Sequence, residues 1–588
     1  MIAHSRTGNR LTGLAVGLGI AFAARAASPP VVAAQPASSQ PAGGIAPVIR
    51  AVDLIVTNCR IWTGDPRQPR AEAFGVSRGR IAMVGSREMV ARFKTPNCRV
   101  IDLGGRNVLP GLIDAHVHLV SGGLSLSRLP LRDVRDYDEF VRRVRQAVSD
   151  RNLGADDWLI GRGWTTESWP KQVPLTRAAI DFPGGVKILL YRMDGHCALA
   201  NSAALAAAGL NGADAAAPPG GVIERDAARA ATGILKDAAI DAVERVIPKA
   251  TPAEQEAAVR AAMQLANSFG LTAVGAMTEW DELDALRRVH DVGQDTLRVA
   301  VYVQEKVWQE FADRVHDFPV HDERLWIAGF KAYMDGSLGS RTAYMHAPYA
   351  DRPGERGLMA SGDGTLDRLR VNVATARATG MQAAVHAIGD QANHEILDLY
   401  EAAGAAPHRS FRPRIEHVQH LLPADVARFG RLGVVASMQP LHKADDARYA
   451  EAALGVERCK TSYAFHDLHA AGATLAFGSD WPVVSLNPWL GVHVAVTGVT
   501  LSGQPWMTQQ NLGVADALTA YSGGAAFACG AEATLGRLAS GCWADFVVVD
   551  RDPLTCPPRD LANVRVLETY VAGRRVWPAR VKVSEGGP

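Results

Sequence analysis

Eight short apolar runs, each followed by a stretch with helical spacing, recur along the middle of this sequence and leave few folds open. The runs are NVLPGLIDAHVHL, LTAVGAM, LRVAVYV, LWIAGFKAYM, MQAAVHA, PRIEHV, GVVASM and TLAFGSD. They are apolar and β-branched without strict polar alternation, the texture of strands buried on both faces, and the stretches between them are rich in Ala, Leu and Arg. Two of those stretches, LDRLRVNVATARATG and PADVARFGRLG, carry apolar residues at helical spacing and end in Gly. Eight βα units predict an α/β fold, a (β/α)8 TIM barrel, whose working groups sit at the carboxyl ends of the strands.

The 588-residue chain has more material than one core takes, since single cores seldom grow past about 250–300 residues. DLIVTNCRIWTG, AEAFGVSRGRIAMVGS and CRVIDLGGRNVLPG read as short strands and turns, and the same texture returns in GRLASGCWADFVVVDRDP and VRVLETYVAGRRVW. The expected organisation is a leader over residues 1–47, part of a β-sandwich over 48–107, the barrel over 108–535, and the rest of the sandwich with a tail over 536–588. A small composite sandwich is thus built from both ends of the chain. Residues from about 120 to 270 separate the first barrel strand from the second and must hold an inserted subdomain placed to cap the barrel mouth. It contains helix-like DYDEFVRRVRQAVSD, strand-like GVKILLYRMDGH and Ala-rich SAALAAAGL.

Arg6 and Arg10 precede an apolar run, Leu11 to Ala24, that is too short to span a bilayer and is followed by small-residue cleavage sites. A signal peptide and export to the periplasm or medium are expected, with no stable membrane span after processing; an uncleaved anchor or a mis-called start codon is the alternative. The seven cysteines are scattered without a CxxC pair, which argues against a zinc-thiolate cluster or a dense disulfide framework. One bridge, Cys59 to Cys98, is compatible with an oxidising compartment. A net charge of +1 without basic runs gives no footprint for nucleic acid, so the expected partner is a small-molecule substrate, and a homodimer is allowed.

His116 and His118 stand two apart at the end of the first run, so both point to one face, as two ligands of one cation require. Two satisfied histidines at a strand end would read the same way, and what gives the pair weight is its company. Lys331, His386, His417 and Asp480 each end a later run, and in a barrel those ends converge on one cavity. His420, His442 and His466 are less clearly at strand ends.

Together GLIDAHVHL, FKAYMDGSLGSRTA, VHAIGD, RIEHVQH, ASMQP and FGSDWPV resemble the amidohydrolase superfamily, specifically amidohydrolase family 3, which includes N-substituted formamide deformylase. The resemblance covers nearly the whole mature chain. It implies two divalent metal ions, zinc first, with iron, manganese or nickel fitting the same donors. His116, His118 and Asp480 would hold the more buried ion, and His386 and His417 the second. It also implies a CO2-derived carbamate on Lys331, which turns a repelling ammonium into an anionic ligand bridging both metals; the alternative is an ordinary lysine paired with a carboxylate such as Asp335. A bound divalent ion lowers the pKa of its water to about 7 and polarises a carbonyl, and Asp480 beside it would shuttle a proton to the departing nitrogen. Trp164, Asp194, His196, Arg341 and Trp481 are candidates for the pocket wall, although the tryptophans could equally be packing and Arg341 a loop tie. The expected activity is hydrolysis of linear amides or N-substituted formamides. A cyclic amide, imide or ester hydrolase is the alternative enzyme, and an exported binding protein without turnover is disfavoured because all six presumed ligands are present.

Overall fold

The computed structural model describes residues 51–166, 169–171, 173–192, 197–218, 221–305, 322–360, 364–407 and 411–578. The leader and the candidates Asp194 and His196 lie outside them.

Eight parallel strands form the central barrel: β1 (Leu112–Val117), β2 (Leu271–Thr278), β3 (Arg298–Gln304), β4 (Leu325–Tyr333), β5 (Gln382–Ala387), β6 (Arg414–His417), β7 (Val435–Met438) and β8 (Leu475–Phe477). Every neighbouring pair in the order β1 to β8 is parallel. A parallel bridge between Val117 and Trp481 brings the chain after β8 back to β1. The strands lack polar alternation because both faces are covered. Ala273 and Met277 of β2 and Ala300 and Tyr302 of β3 fill the interior with Ala115, Ala384 and Ala476. Their neighbours Val274, Ala276, Val299 and Val301 face the surrounding helices. The helices Thr365–Thr379 and Val426–Leu432 occupy the stretches expected of them and end at Gly380 and Gly433.

The two ends of the chain meet in one eight-stranded mixed sheet that includes Leu54–Trp62, Ala73–Ser77, Arg99–Pro110, Phe546–Val549 and Val566–Val571. Phe74 and Phe546 lie three strands apart in that sheet, about 14 Å if it were flat. Their ring centroids are 5.1 Å apart, and the Tyr570 ring stacks on Phe546 at 4.2 Å, so the sheet curls over until its inner face packs on itself. Arg298, at the start of β3, ties this sheet to the barrel through a buried pair with Asp545 at 2.7 Å.

Between β1 and β2 the insertion builds a six-stranded sheet, in which Lys187–Arg192, Trp158–Trp164 and Leu129–Pro130 are consecutive neighbours. Its helix Tyr137–Asp150 is capped by Asp136, whose carboxylate accepts from the Glu139 N–H at 2.8 Å, and buries Phe140 against Trp164 and Trp169. Among the described residues no helix is long and apolar enough to cross a membrane. All seven cysteines are free thiols, so Cys59 and Cys98 are not bridged; the Cys59 thiol donates to the Glu72 carbonyl, and burial pushes its pKa up to about 12.

Candidate metal centre

The carboxyl ends of the barrel strands open into a cavity of about 850 Å³ whose lining includes His116, His118, Lys331, His386, His417 and Asp480. His116 is fully buried near the end of β1, and His118 follows it into the mouth. The rings form a chain of close neighbours: His116 to His118 at 5.9 Å, His116 to His417 at 5.0 Å, and His417 to His386 at 4.4 Å. Asp480 reaches the cluster from the turn after β8, with Oδ1 3.3 Å from His116 Nε2 and 3.2 Å from His118 Nε2. His417 and Asp480 are both held at positive φ, 77° and 57°, a conformation that costs a side-chain-bearing residue about 1–2 kcal/mol. Such strain persists only where the surroundings over-determine it.

That turn is anchored by Asp114. Its Oδ1 accepts from the N–H groups of His116 and Ser479, each at 3.0 Å, while the Asp480 N–H donates to the His116 carbonyl at 2.7 Å. The approach needs a residue without a side chain, since a Cβ on Gly478 would sit 2.6 Å from the His116 nitrogen. Burial pushes the Asp114 carboxyl up to about 7, against the pull of its hydrogen bonds from Ser479 and His116.

Hydrogen bonds behind the rings decide which nitrogen faces the cavity. His116 Nδ1 lies 2.6 Å from Glu416 Oε2, which can only accept, so Nδ1 carries the proton and Nε2 keeps its lone pair. His417 Nδ1 donates likewise to Gln439 Oε1 at 2.8 Å, leaving Nε2 as the acceptor. In His386 the roles reverse: Nε2 donates to the Gly336 carbonyl at 3.0 Å, and Nδ1 keeps the lone pair. Glu416 is buried. Burial opposes its charge, but Arg414, at 2.5 Å, and the imidazole of His116 hold its pKa well below the usual carboxylate range.

These donors fit a cation. His116 Nε2 and Asp480 Oδ1 are buried, face each other and lack a hydrogen-bond partner, so two acceptors are held together in a pairing that a cation would satisfy. Two donor sets have ligand atoms within reach of one ion: His116, His118 and Asp480, and His417, His442 and Asp480. His442 is thus in the cluster, stacked on His417 at 6.0 Å, although the sequence places it less clearly at a strand end.

Lys331 is buried on β4 with its Nζ 4.8 Å from the Tyr333 ring centroid. Burial lowers its pKa to about 8, partly offset by Glu416 and Asp480. It is not paired with Asp335. That carboxylate accepts the N–H groups of Tyr344, Ile388 and Gly389 at 2.8–3.0 Å and so shapes the loop after β4.

The remaining described candidates are committed to other contacts. Trp164 is buried in the core of the inserted sheet, its indole N–H donating to the Leu190 carbonyl at 2.7 Å, and Trp481 packs against Gly122; neither lines the cavity. Arg341 lines it, but its guanidinium is engaged by Asp351 at 2.6 Å. His420 is buried with Nδ1 2.8 Å from Ser462 Oγ, and His466 is exposed beside Asp467. Sequence reasoning passed over Glu416, Arg414 and Gln439. The available signal was two charges, two residues apart, inside a run read as a buried strand, because charge is buried there only when paired.

Residues 99–577 match the model of the amidohydrolase family. The chain is 36% identical over 541 residues to Protein LONG AFTER FAR-RED 3 of Arabidopsis thaliana, covering 90% of this chain and 92% of that protein. It is 27% identical to N-substituted formamide deformylase of Arthrobacter pascens, covering 89% and 97%. Among solved structures it is similar to a metal-dependent hydrolase of Pyrococcus horikoshii OT3, with a TM-score of 0.73, 28% identity and coverage of 86% and 99%. A family match over most of the sequence and relatives aligned along nearly their whole length lead to one conclusion: the chain belongs to the amidohydrolase family.

Proposed function

We propose that the chain is a metal-dependent hydrolase of C–N bonds other than peptide bonds, acting on linear amides or N-substituted formamides. Its two divalent cations, zinc by preference, would be held by His116, His118, Lys331, His386, His417 and Asp480. One observation carries the reading: the buried, unpartnered acceptors His116 Nε2 and Asp480 Oδ1 face each other at 3.3 Å, an arrangement that a cation stabilises. A divalent cation held there makes a water nucleophilic near neutral pH and polarises the substrate carbonyl.

The chain's own groups supply the rest. Glu416, Gln439 and the Gly336 carbonyl fix the protons of His116, His417 and His386 on the outward nitrogens, so the inward lone pairs are always available. Lys331, with a pKa of about 8, is partly neutral near physiological pH, which supports reaction of its amine with CO2 to give an anionic oxygen donor. Asp480, ionised among the imidazoles, is placed to take a proton from the attacking water and hand it to the departing nitrogen. Similarity to a formamide deformylase favours an open-chain formamide. The N-terminal leader favours export.

The test strips the mature protein of metal with a chelator, returns zinc, and screens N-formyl amines, N-acyl amino acids, hydantoins and lactones. Activity should vanish, return with about two zinc per chain, and be fastest on open-chain formamides. Undiminished turnover after complete metal removal would overturn the metal reading, and faster turnover of hydantoins or lactones would replace the linear amide.

A further inference from the structure

The cavity has a second charged wall, supplied by the inserted sheet. Arg162 lies half-buried on Trp158–Trp164, opposite Pro130 of the neighbouring strand, and its carbonyl accepts from the Leu131 N–H at 2.9 Å. The next residue, Arg132, is thereby carried beside Arg162. Gly163 permits the approach: its φ is 102°, and a Cβ there would lie 3.2 Å from the Arg132 nitrogen. Both arginines line the same cavity as His116, Lys331 and Asp480.

Three other arginines share this lining and none of them is free: Arg341 pairs with Asp351 at 2.6 Å, Arg448 pairs with Asp445 at 2.5 Å, and Arg192 is engaged as well. Among the described residues no carboxylate forms an ion pair with Arg132 or Arg162. Burial, followed by the charges of Arg128 and Arg132, lowers the pKa of Arg162. Like charges brought close together repel, and a ligand anion between them would offset that cost.

Resting on the hydrolase reading above, we infer that the cavity selects amides bearing a carboxylate, which Arg132 and Arg162 bind while the amide faces the histidine cluster. A planar carboxylate matches the guanidinium fork, and a neutral amide leaves both charges unmatched.

N-formylphenylalanine and N-(2-phenylethyl)formamide differ only in the α-carboxylate and make the test. Calorimetry on metal-stripped protein reads binding without turnover, and kinetics after zinc is returned reads hydrolysis. The carboxylate compound should bind at least about 10-fold more tightly and show a correspondingly higher kcat/KM. R132Q and R162Q should each shrink that ratio, and R162K should restore part of it; R132Q, at an exposed position, keeps the test available if R162Q does not fold. Equal binding of the two compounds, or a ratio unchanged in R132Q, overturns the inference even where both formamides are hydrolysed. Preferential binding of the anion that R132Q abolishes, with neither compound hydrolysed, supports the arginine site and refutes the amide reading instead.

Discussion

The two ring nitrogens of His116 do different work because Glu416 lies against one of them. With Nδ1–H bound to a carboxylate that also accepts from Arg414 and Ser437, the ring cannot rotate or change tautomer cheaply. Glu416→Gln should therefore weaken metal binding by about 10–100-fold, read by competition with a chromogenic chelator, and should lower the Tm because Arg414 loses its buried counter-charge. Unchanged metal affinity would mean that Glu416 serves the fold alone. Asp480→Asn keeps the shape and removes the proton acceptor; kcat should fall by about 10²–10⁴-fold, with a smaller loss of bound metal. Substantial retained kcat would take Asp480 out of the chemistry. His420 offers a pH test at the same scale. Burial, then Arg458, hold its pKa near 3 against an ordinary 6.5, so between these values the unfolded chain binds the extra proton. Its contribution is complete above pH 6.5 and drains as the pH falls toward 3, by at most about 1.4 kcal/mol per unit. His420→Gln should lose less Tm than the wild type between about pH 7 and pH 5; equal losses would show that other groups set the acid limit.

At the scale of single elements, the turn from β8 to Asp480 bears the tightest constraint. Gly478 touches the backbone of β1, and Asp114 staples the turn to that strand. Gly478→Ala should cost about 1–3 kcal/mol and reduce metal occupancy together with Tm, since the same displacement that relieves the clash moves Asp480. Calorimetry with metal analysis checks both, and a stability loss at full occupancy would separate the turn from the site. All eight barrel strands were legible in the sequence because burial on both faces leaves mainly apolar runs without polar alternation, even where β6 carries the buried pair Arg414 and Glu416. The strand-end positions of His116, Lys331, His386, His417 and Asp480 were legible for the same reason. His442 was not, because it lies on the helix Pro440–Asp446, beyond the strand end that periodicity marks. Trp164 shows the reverse: aromatic character suggested a pocket wall, and only packing puts it beneath the inserted sheet.

Across the whole molecule, barrel and terminal sheet are joined by a charge pair with almost no access to water. Asp545 accepts from Arg298 at 2.7 Å and from the Ala572 N–H at 2.7 Å, so Asp545→Ala strands a buried guanidinium and should cost about 3–5 kcal/mol, measured by chemical denaturation. A loss below about 1 kcal/mol would mean that water reaches Arg298. The sequence alone determined the barrel, the insertion between its first two strands and the β-texture shared by both ends, because period and apolar content report on burial one segment at a time. Which charges meet was decided only in three dimensions. Arg414 and Glu416 become a support for His116, Arg298 finds Asp545 across 247 residues, and Arg132 comes to lie beside Arg162. The physical reason is range: hydrophobic periodicity is written locally, whereas Coulomb and hydrogen-bond energies depend on distances that the chain sets only by closing on itself.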